Sequence, residues 1–167
     1  VVGAHLSGLP LNRELTERGA RLVRRACTAP RYRLFALPGT TPPKPGMVRV
    51  AGDGGQTIEL EVWELPIGAF GAFVAGVPAP LSIGTIELDD GATVQGFLCE
   101  AVATDGAEDI SRFGGWRRYL DARIAASGLA SYNAFGMIAT EAAWRTGESS
   151  PDALLPYLAG SRDMPDS

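Results

Sequence analysis

Few residues in this sequence can move a proton or take up charge near neutral pH. Fourteen of the fifteen basic residues are arginine, so Lys44 is the single lysine, and His5 is the single histidine. That scarcity excludes whole reaction classes. One imidazole and two distant cysteines, Cys27 and Cys99, cannot supply the ligand set of a zinc site, and no metal or other cofactor is expected. A Ser-His-Asp triad has only His5 to use. A lysine nucleophile or Schiff base has only Lys44. The cysteines sit in apolar stretches and read as buried free thiols of a reducing cytoplasm.

The remaining charge is diffuse. Fifteen basic and nineteen acidic residues give a net charge of -4 over 167 residues. Mild acidity with interspersed charge argues against a nucleic-acid face, and Arg21, Arg24 and Arg25 read as a solvated helix face. No apolar run approaches the ~18 residues of a membrane span, and no signal peptide is expected. Glycine and proline make up about one residue in five, against an average of ~12%. The length suits one domain with a tail, large enough to bury a core without a metal or disulfide. The sequence opens at Val1 inside what reads as a strand end, as expected of a domain cut from a longer protein.

The elements that must position these side chains follow from spacing. Val1 and Val2 read as the end of a strand, and residues 3–10 as a tight loop. Asn12 suits a helix N-cap, and Leu11, Leu15, Leu22 and Ala26 share one face of a helix predicted from there to about Ala26. Residues 31–37 and 47–51 read as strands. The loop between them, TTPPKPG, is stiffened by three prolines. Residues 57–65, TIELEVWEL, alternate with period two. Ile58, Leu60 and Val62 fall on one face, Glu59, Glu61 and Trp63 on the other. Two readings of that second face stay open: an inward polar site, or an edge strand with Trp63 lying over a helix. Residues 67–77 are apolar and glycine-rich. Residues 81–88 and 93–102 flank Asp89-Asp90-Gly91 and predict a hairpin. Helices are predicted over 116–126, about 130–146, and near 153–158. The sum is an α+β protein, with strands expected to curl into a small mixed β-barrel, helices outside it and a helical C-terminal extension.

Several strings resemble a known family. VVGAHLSGLPLN at 1–12, YRLFALPG at 32–39, KPGMVRV at 44–50, IELEVWELP at 58–66, FGAFVAGVPAPLSIG at 70–84, VQGFLCEA at 94–101 and FGGWRRYL at 113–120 are similar, in order and spacing, to the C-terminal domain of allophanate hydrolase. The resemblance covers residues 1–120 and leaves 121–167 as an extension. It implies a fold similar to the gamma-glutamylcyclotransferases. Their first strand leads into a Tyr-Gly-x-Leu loop whose backbone amides hold an anion. Here Gly3, Ala4, His5 and Leu6 take those positions. The cyclotransferase glutamate has no counterpart, because residues 68–81 contain no acid.

The resemblance implies urea degradation by the allophanate route. In that enzyme an amidase domain with a Ser-Ser-Lys triad deaminates allophanate. The C-terminal domain takes the released N-carboxycarbamate and promotes its decarboxylation, with the histidine of GAHLSG implicated. This chain has no amidase signature, so only the second step is expected of it. Such a step needs an anion-holding loop, here Ala4 and Leu6 at a helix N-terminus, and a proton donor, here His5. Lys44 and Arg49 are candidates to neutralise a second carboxylate, Ser7 and Tyr32 to donate hydrogen bonds, and Glu61 to orient His5 or a substrate amine.

Blander readings stand beside these. Ser7 could only hold the turn, Lys44 be solvated, Tyr32 and Trp63 be packing, and Trp116 cap the barrel. The expected partners are a small anionic substrate and an amidase domain of the same or a partner chain, with a homodimer as the candidate assembly. A different class of function is a non-catalytic module that stabilises the amidase dimer or binds a dicarboxylate. Tyr132, Phe135, Met137, Ile138 and Trp144 of the extension would then be its working surface.

Overall fold

A computed structural model describes residues 1–126. The sequence-predicted helices near 130–146 and 153–158, and the surface assigned to Tyr132–Trp144, lie outside the described residues.

The first loop leads into a single helical turn, α1 (Arg13–Thr16), and then at once into strand β1 (Arg21–Cys27). The long helix expected up to Ala26 is therefore wrong beyond Thr16. Gly19 sits at φ 75°, a left-handed conformation that stops a helix and that glycine adopts without a Cβ penalty. Beyond it the backbone finds its partners in a ladder. β1 pairs antiparallel with β4 (Glu59–Glu64), setting Arg21 opposite Glu64, Arg25 opposite Glu61 and Cys27 opposite Glu59. The cluster Arg21, Arg24, Arg25 is solvent-exposed as expected, but on a strand that faces the acids of β4. Asn12 also departs from expectation. Its side chain caps no helix amide and instead donates to the His5 carbonyl at 2.9 Å.

Strands β2 (Tyr32–Ala36), β3 (Pro45–Arg49) and β7 (Glu108–Asp109) form a three-stranded sheet in the order β3-β2-β7, and β5 (Leu81–Glu87) and β6 (Thr93–Cys99) form the predicted hairpin. The apolar segment after β4 is a helix, α2 (Ile67–Ala75), and the described part ends with α3 (Trp116–Ala126), over the range that periodicity predicts. The α+β character holds. The closed barrel does not: among the described residues the strands make three separate sheets. Single links join them, among them a bridge from Thr28 to Leu88 and a bond from the Glu87 amide to the Tyr32 hydroxyl at 2.9 Å.

The core runs between these sheets and α3. Tyr32, Leu34, Ile58 and Ile110 are fully buried, and Trp116 lies inside with Tyr119 rather than capping an open end. A second cluster gathers Leu15, Phe73 and Phe97, with Trp63 and Leu65 packed on it. Ile58 and Leu60 point into the main core, as the alternation of β4 predicts.

Candidate active site

The site builds from the first loop. The Val1 nitrogen donates to the Glu61 carbonyl at 2.8 Å, and the Glu61 amide donates to the Val1 carbonyl at 3.0 Å. The loop thus begins tied to β4. Gly3 is required where it stands, because a Cβ there would come within 2.5 Å of the Pro45 ring. That close approach brings β3 and the adjoining Lys44 against the loop. Ala4 and Leu6 turn their side chains into the protein and are buried. Of the two amides expected to hold an anion, that of Leu6 is not available, because it donates to the Gly3 carbonyl at 2.9 Å. The backbone N–H groups of Ala4 and His5 have no partner among the described residues.

His5 is held from several sides. Its ring stacks on Phe97 at 5.0 Å and meets Phe73 edge-on at 5.4 Å. Its Nε2 lies 3.1 Å from Glu14 Oε2, and only 12% of its side chain is exposed. Burial pushes the imidazole pKa below its ordinary value; the Glu14 carboxylate pulls it back up in part, and the Lys44 ammonium adds to the lowering.

Glu61 occupies the other side of the loop. It is 2% exposed, so the inward polar reading of this β4 face holds at Glu61. The alternative holds for its neighbours: among the described residues β4 pairs only with β1, Glu59 is 42% exposed, and Trp63 packs on the cluster that contains Phe73 of α2. The Ser7 amide donates to Oε2 at 2.7 Å, the Ser7 hydroxyl at 2.9 Å and the Trp63 indole at 3.2 Å. Arg117 donates to Oε1 at 3.2 Å and to the Ser7 carbonyl at 2.5 Å. Burial alone would raise the carboxyl pKa, but the Ser7, Trp63 and Arg117 donors outweigh it and hold the group below its ordinary value. Glu59, one residue pair along, is half-buried and pairs with Arg118.

The structure therefore places the sequence-predicted residues in two groups. Ala4, His5, Leu6, Ser7, Lys44 and Glu61 lie in or against the first loop. Tyr32 and Arg49 belong to another cluster. The Arg49 guanidinium donates to the Tyr32 hydroxyl at 2.7 Å and to the Thr85 carbonyl at 3.3 Å, an arrangement that ties β3 to β5. They share no contact with His5, Ser7 or Glu61 among the described residues. Nor does Glu61 touch His5; its carboxylate is engaged with Ser7, Trp63 and Arg117.

Sequence reasoning missed Glu14, Arg117, Phe73 and Phe97. Arg117 stands inside FGGWRRYL, so its motif was visible while its partner was not. Two cavities adjoin Glu61, and His5 is in the wall of neither. A cleft of about 480 Å³ is walled by Leu6, Arg25, Cys27, Glu61, Trp116 and Arg117. A more apolar cavity of about 320 Å³ has Glu61, Trp63, Phe73 and Phe97 in its wall. Cys27 is thus only half-buried, whereas Cys99 is fully covered.

Fold and site together define a small mixed α+β domain whose single histidine and buried glutamate anchor its opening loop. The chain belongs to the allophanate hydrolase C-terminal domain family, whose sequence profile matches residues 1–121. The urea amidolyases of Saccharomyces cerevisiae and Lachancea kluyveri are each 44% identical to it over 124 residues, which is 72% of this chain and 7% of theirs. The crystal structure of the Kluyveromyces lactis urea amidolyase matches with a TM-score of 0.70 at 43% identity, covering 72% of this chain and 8% of that one. A uropathogenic Escherichia coli-specific protein matches with a TM-score of 0.65 at 38% identity, covering 71% of this chain and 90% of that one. The chain thus corresponds to a small part of the yeast enzymes. No helix among the described residues is long and apolar enough to cross a membrane.

Proposed function

We propose that this domain decarboxylates N-carboxycarbamate released by a separate amidase, the second step of urea degradation through allophanate. The observation that carries the reading is His5. The single imidazole of the chain is clamped between two phenylalanine rings in the first loop, nearly out of solvent, with Lys44 near enough to act on its charge. The unpartnered amides of Ala4 and His5 offer donors to a substrate carboxylate.

In the proposed step the C–N bond to one carboxylate breaks, its electron pair passes to nitrogen and CO2 leaves. The imidazolium gives its proton to that nitrogen, and carbamate is the product. An arriving dianion raises the pKa of a nearby imidazole, which offsets the lowering by burial and loads His5 with a proton when substrate is bound. Within this reading residues 1–120 form a gamma-glutamylcyclotransferase-like unit, 121–167 are an extension, the amidase belongs to the same or a partner chain, and the compartment is the cytoplasm. One observation favours a second reading, a non-catalytic scaffold or dicarboxylate binder: Ser7 and Glu61 spend their polar atoms on one another and on Arg117.

The test is to supply the protein with intermediate made in place by a separate amidase and to time CO2 release. The expected result is release above the rate without the domain, falling by about 100-fold in His5→Ala, the range of general-acid contributions. Release that is the same with wild type, His5→Ala or no domain overturns the reading and leaves the scaffold.

A further inference from the structure

We propose that Glu14 is the positioning residue that fixes the tautomer of His5, holding Nε2–H and leaving Nδ1 as the nitrogen that hands the proton to substrate; the Nδ1 role rests on the decarboxylation reading above. A neutral imidazole carries one N–H and one bare nitrogen, and an ionised carboxylate only accepts. With Glu14 Oε2 at 3.1 Å, Nε2 has to be the protonated nitrogen. Nδ1 has no partner among the described residues, so it is the nitrogen with hydrogen-bonding capacity to spare.

The surroundings keep that arrangement from inverting. A ring flip would set Cε1 against the carboxylate and forfeit its hydrogen bond, while the stacked Phe97 and edge-on Phe73 fix the ring plane. Asn12 pins the His5 backbone through its carbonyl. Glu14 is anchored in turn, because Arg18 donates to the Glu14 carbonyl at 2.7 Å and lies over the Phe73 ring. The charged groups acting on the imidazole are Glu14 from α1 and Lys44 from the loop before β3, with the Val1 nitrogen also near. Among them only Glu14 is anionic. It therefore both orients the ring and keeps it protonatable. In the step itself Nδ1–H is lost to the substrate nitrogen while Nε2–H stays on Glu14. Water restores the Nδ1 proton after carbamate leaves.

The single histidine makes the test direct. Tag-free full chain with 15N-labelled histidine gives one pair of ring nitrogens. Above the ring's pKa the wild type is expected to show a pyrrole-type shift at Nε2 and a bare, pyridine-type shift at Nδ1. Glu14→Ala is expected to mix the two tautomers, lower the titration midpoint and cut kcat for CO2 release about tenfold with KM little changed. Glu14→Gln, which keeps an acceptor but not the charge, should hold the tautomer while still lowering the midpoint. The Glu14 side chain is 42% exposed, so the fold tolerates both changes, with circular dichroism as the control. Unchanged tautomer and midpoint in Glu14→Ala overturn the proposal, as does a tautomer that mixes with kcat unmoved. If the tautomer follows Glu14 but wild type releases no CO2 above background, the decarboxylation reading and the Nδ1 role fall, while the tautomer assignment stands.

Discussion

A carboxylate taken out of water costs several kcal/mol unless donors replace its hydration. Glu61 meets that cost with four: the Ser7 amide and hydroxyl, the Trp63 indole and the Arg117 guanidinium. Removing it strands the Ser7 and Trp63 donors and leaves Arg117 the Ser7 carbonyl as its acceptor. Glu61→Ala is therefore expected to lose about 3–5 kcal/mol, the range for breaking a buried charge pair. The measurement is the urea midpoint at constant m, and a loss under about 1 kcal/mol would show that water already satisfies these donors. His5 gives a complementary prediction at the same scale. Burial lowers its pKa, so its titration midpoint in the free protein falls below 6.5, the value from which it starts. Malonate, in which CH2 replaces the substrate NH, should raise that midpoint if an anion binds beside the ring. A midpoint indifferent to malonate would place the anion elsewhere.

Elements, rather than single side chains, decide what glycine does here. Gly55 lies so close to β2 that a Cβ would come within 2.6 Å of the Arg31 backbone, whereas Gly68 in α2 has nothing within 4 Å. Gly55→Ala must shift backbone and is expected to cost about 1–3 kcal/mol. Gly68→Ala should stabilise by about 0.5–1 kcal/mol through helix propensity. Paired urea melts read both: no loss in Gly55→Ala would mean that the backbone there gives way without cost, and no gain in Gly68→Ala would count against helix propensity deciding at that position. The same scale explains what was legible beforehand. The alternation of TIELEVWEL and the Asp-Asp-Gly turn fix β4 and the β5–β6 hairpin, because strand faces and turns are local. The segment 12–26 misleads because Leu15, Leu22 and Ala26 also satisfy a helical period, while what decides is the left-handed Gly19 and the pairing of β1 with β4, some forty residues away in sequence. Site legibility divides in the same way. His5 stands out because it is unique. Glu14 lies in the part of the predicted helix that does form, but its contact with His5 depends on how the first loop turns back on it, and Arg117 reaches Glu61 only through packing of α3 on the loop.

The whole molecule expresses these groups as one pH profile of stability. Where the unfolded chain binds more protons than the folded one, stability rises with pH. His5, lowered by burial, and Glu61, held below the ordinary carboxylate value by its donors despite burial, both satisfy that condition. Stability is therefore lost in two stages on acidification: below 6.5 through His5, and again below 4.5 through Glu61. The alkaline side has the opposite sign. Burial and the Glu108 carboxylate push the Tyr119 hydroxyl from 10.0 up to about 12, so the unfolded chain gives up that proton first and stability falls above pH 10. Burial raises both thiols in the same sense, starting near pH 9. The expected curve is a maximum between about pH 7 and 9 with a stepped acid branch. Urea titrations across the range would trace it. His5→Gln should remove the step just below pH 6.5 and leave the Glu61 and Tyr119 branches in place. Superimposable wild-type and His5→Gln slopes between about pH 7 and 5.5 would mean that the imidazole titrates alike in both states, and that the two phenylalanine rings do not keep it from water.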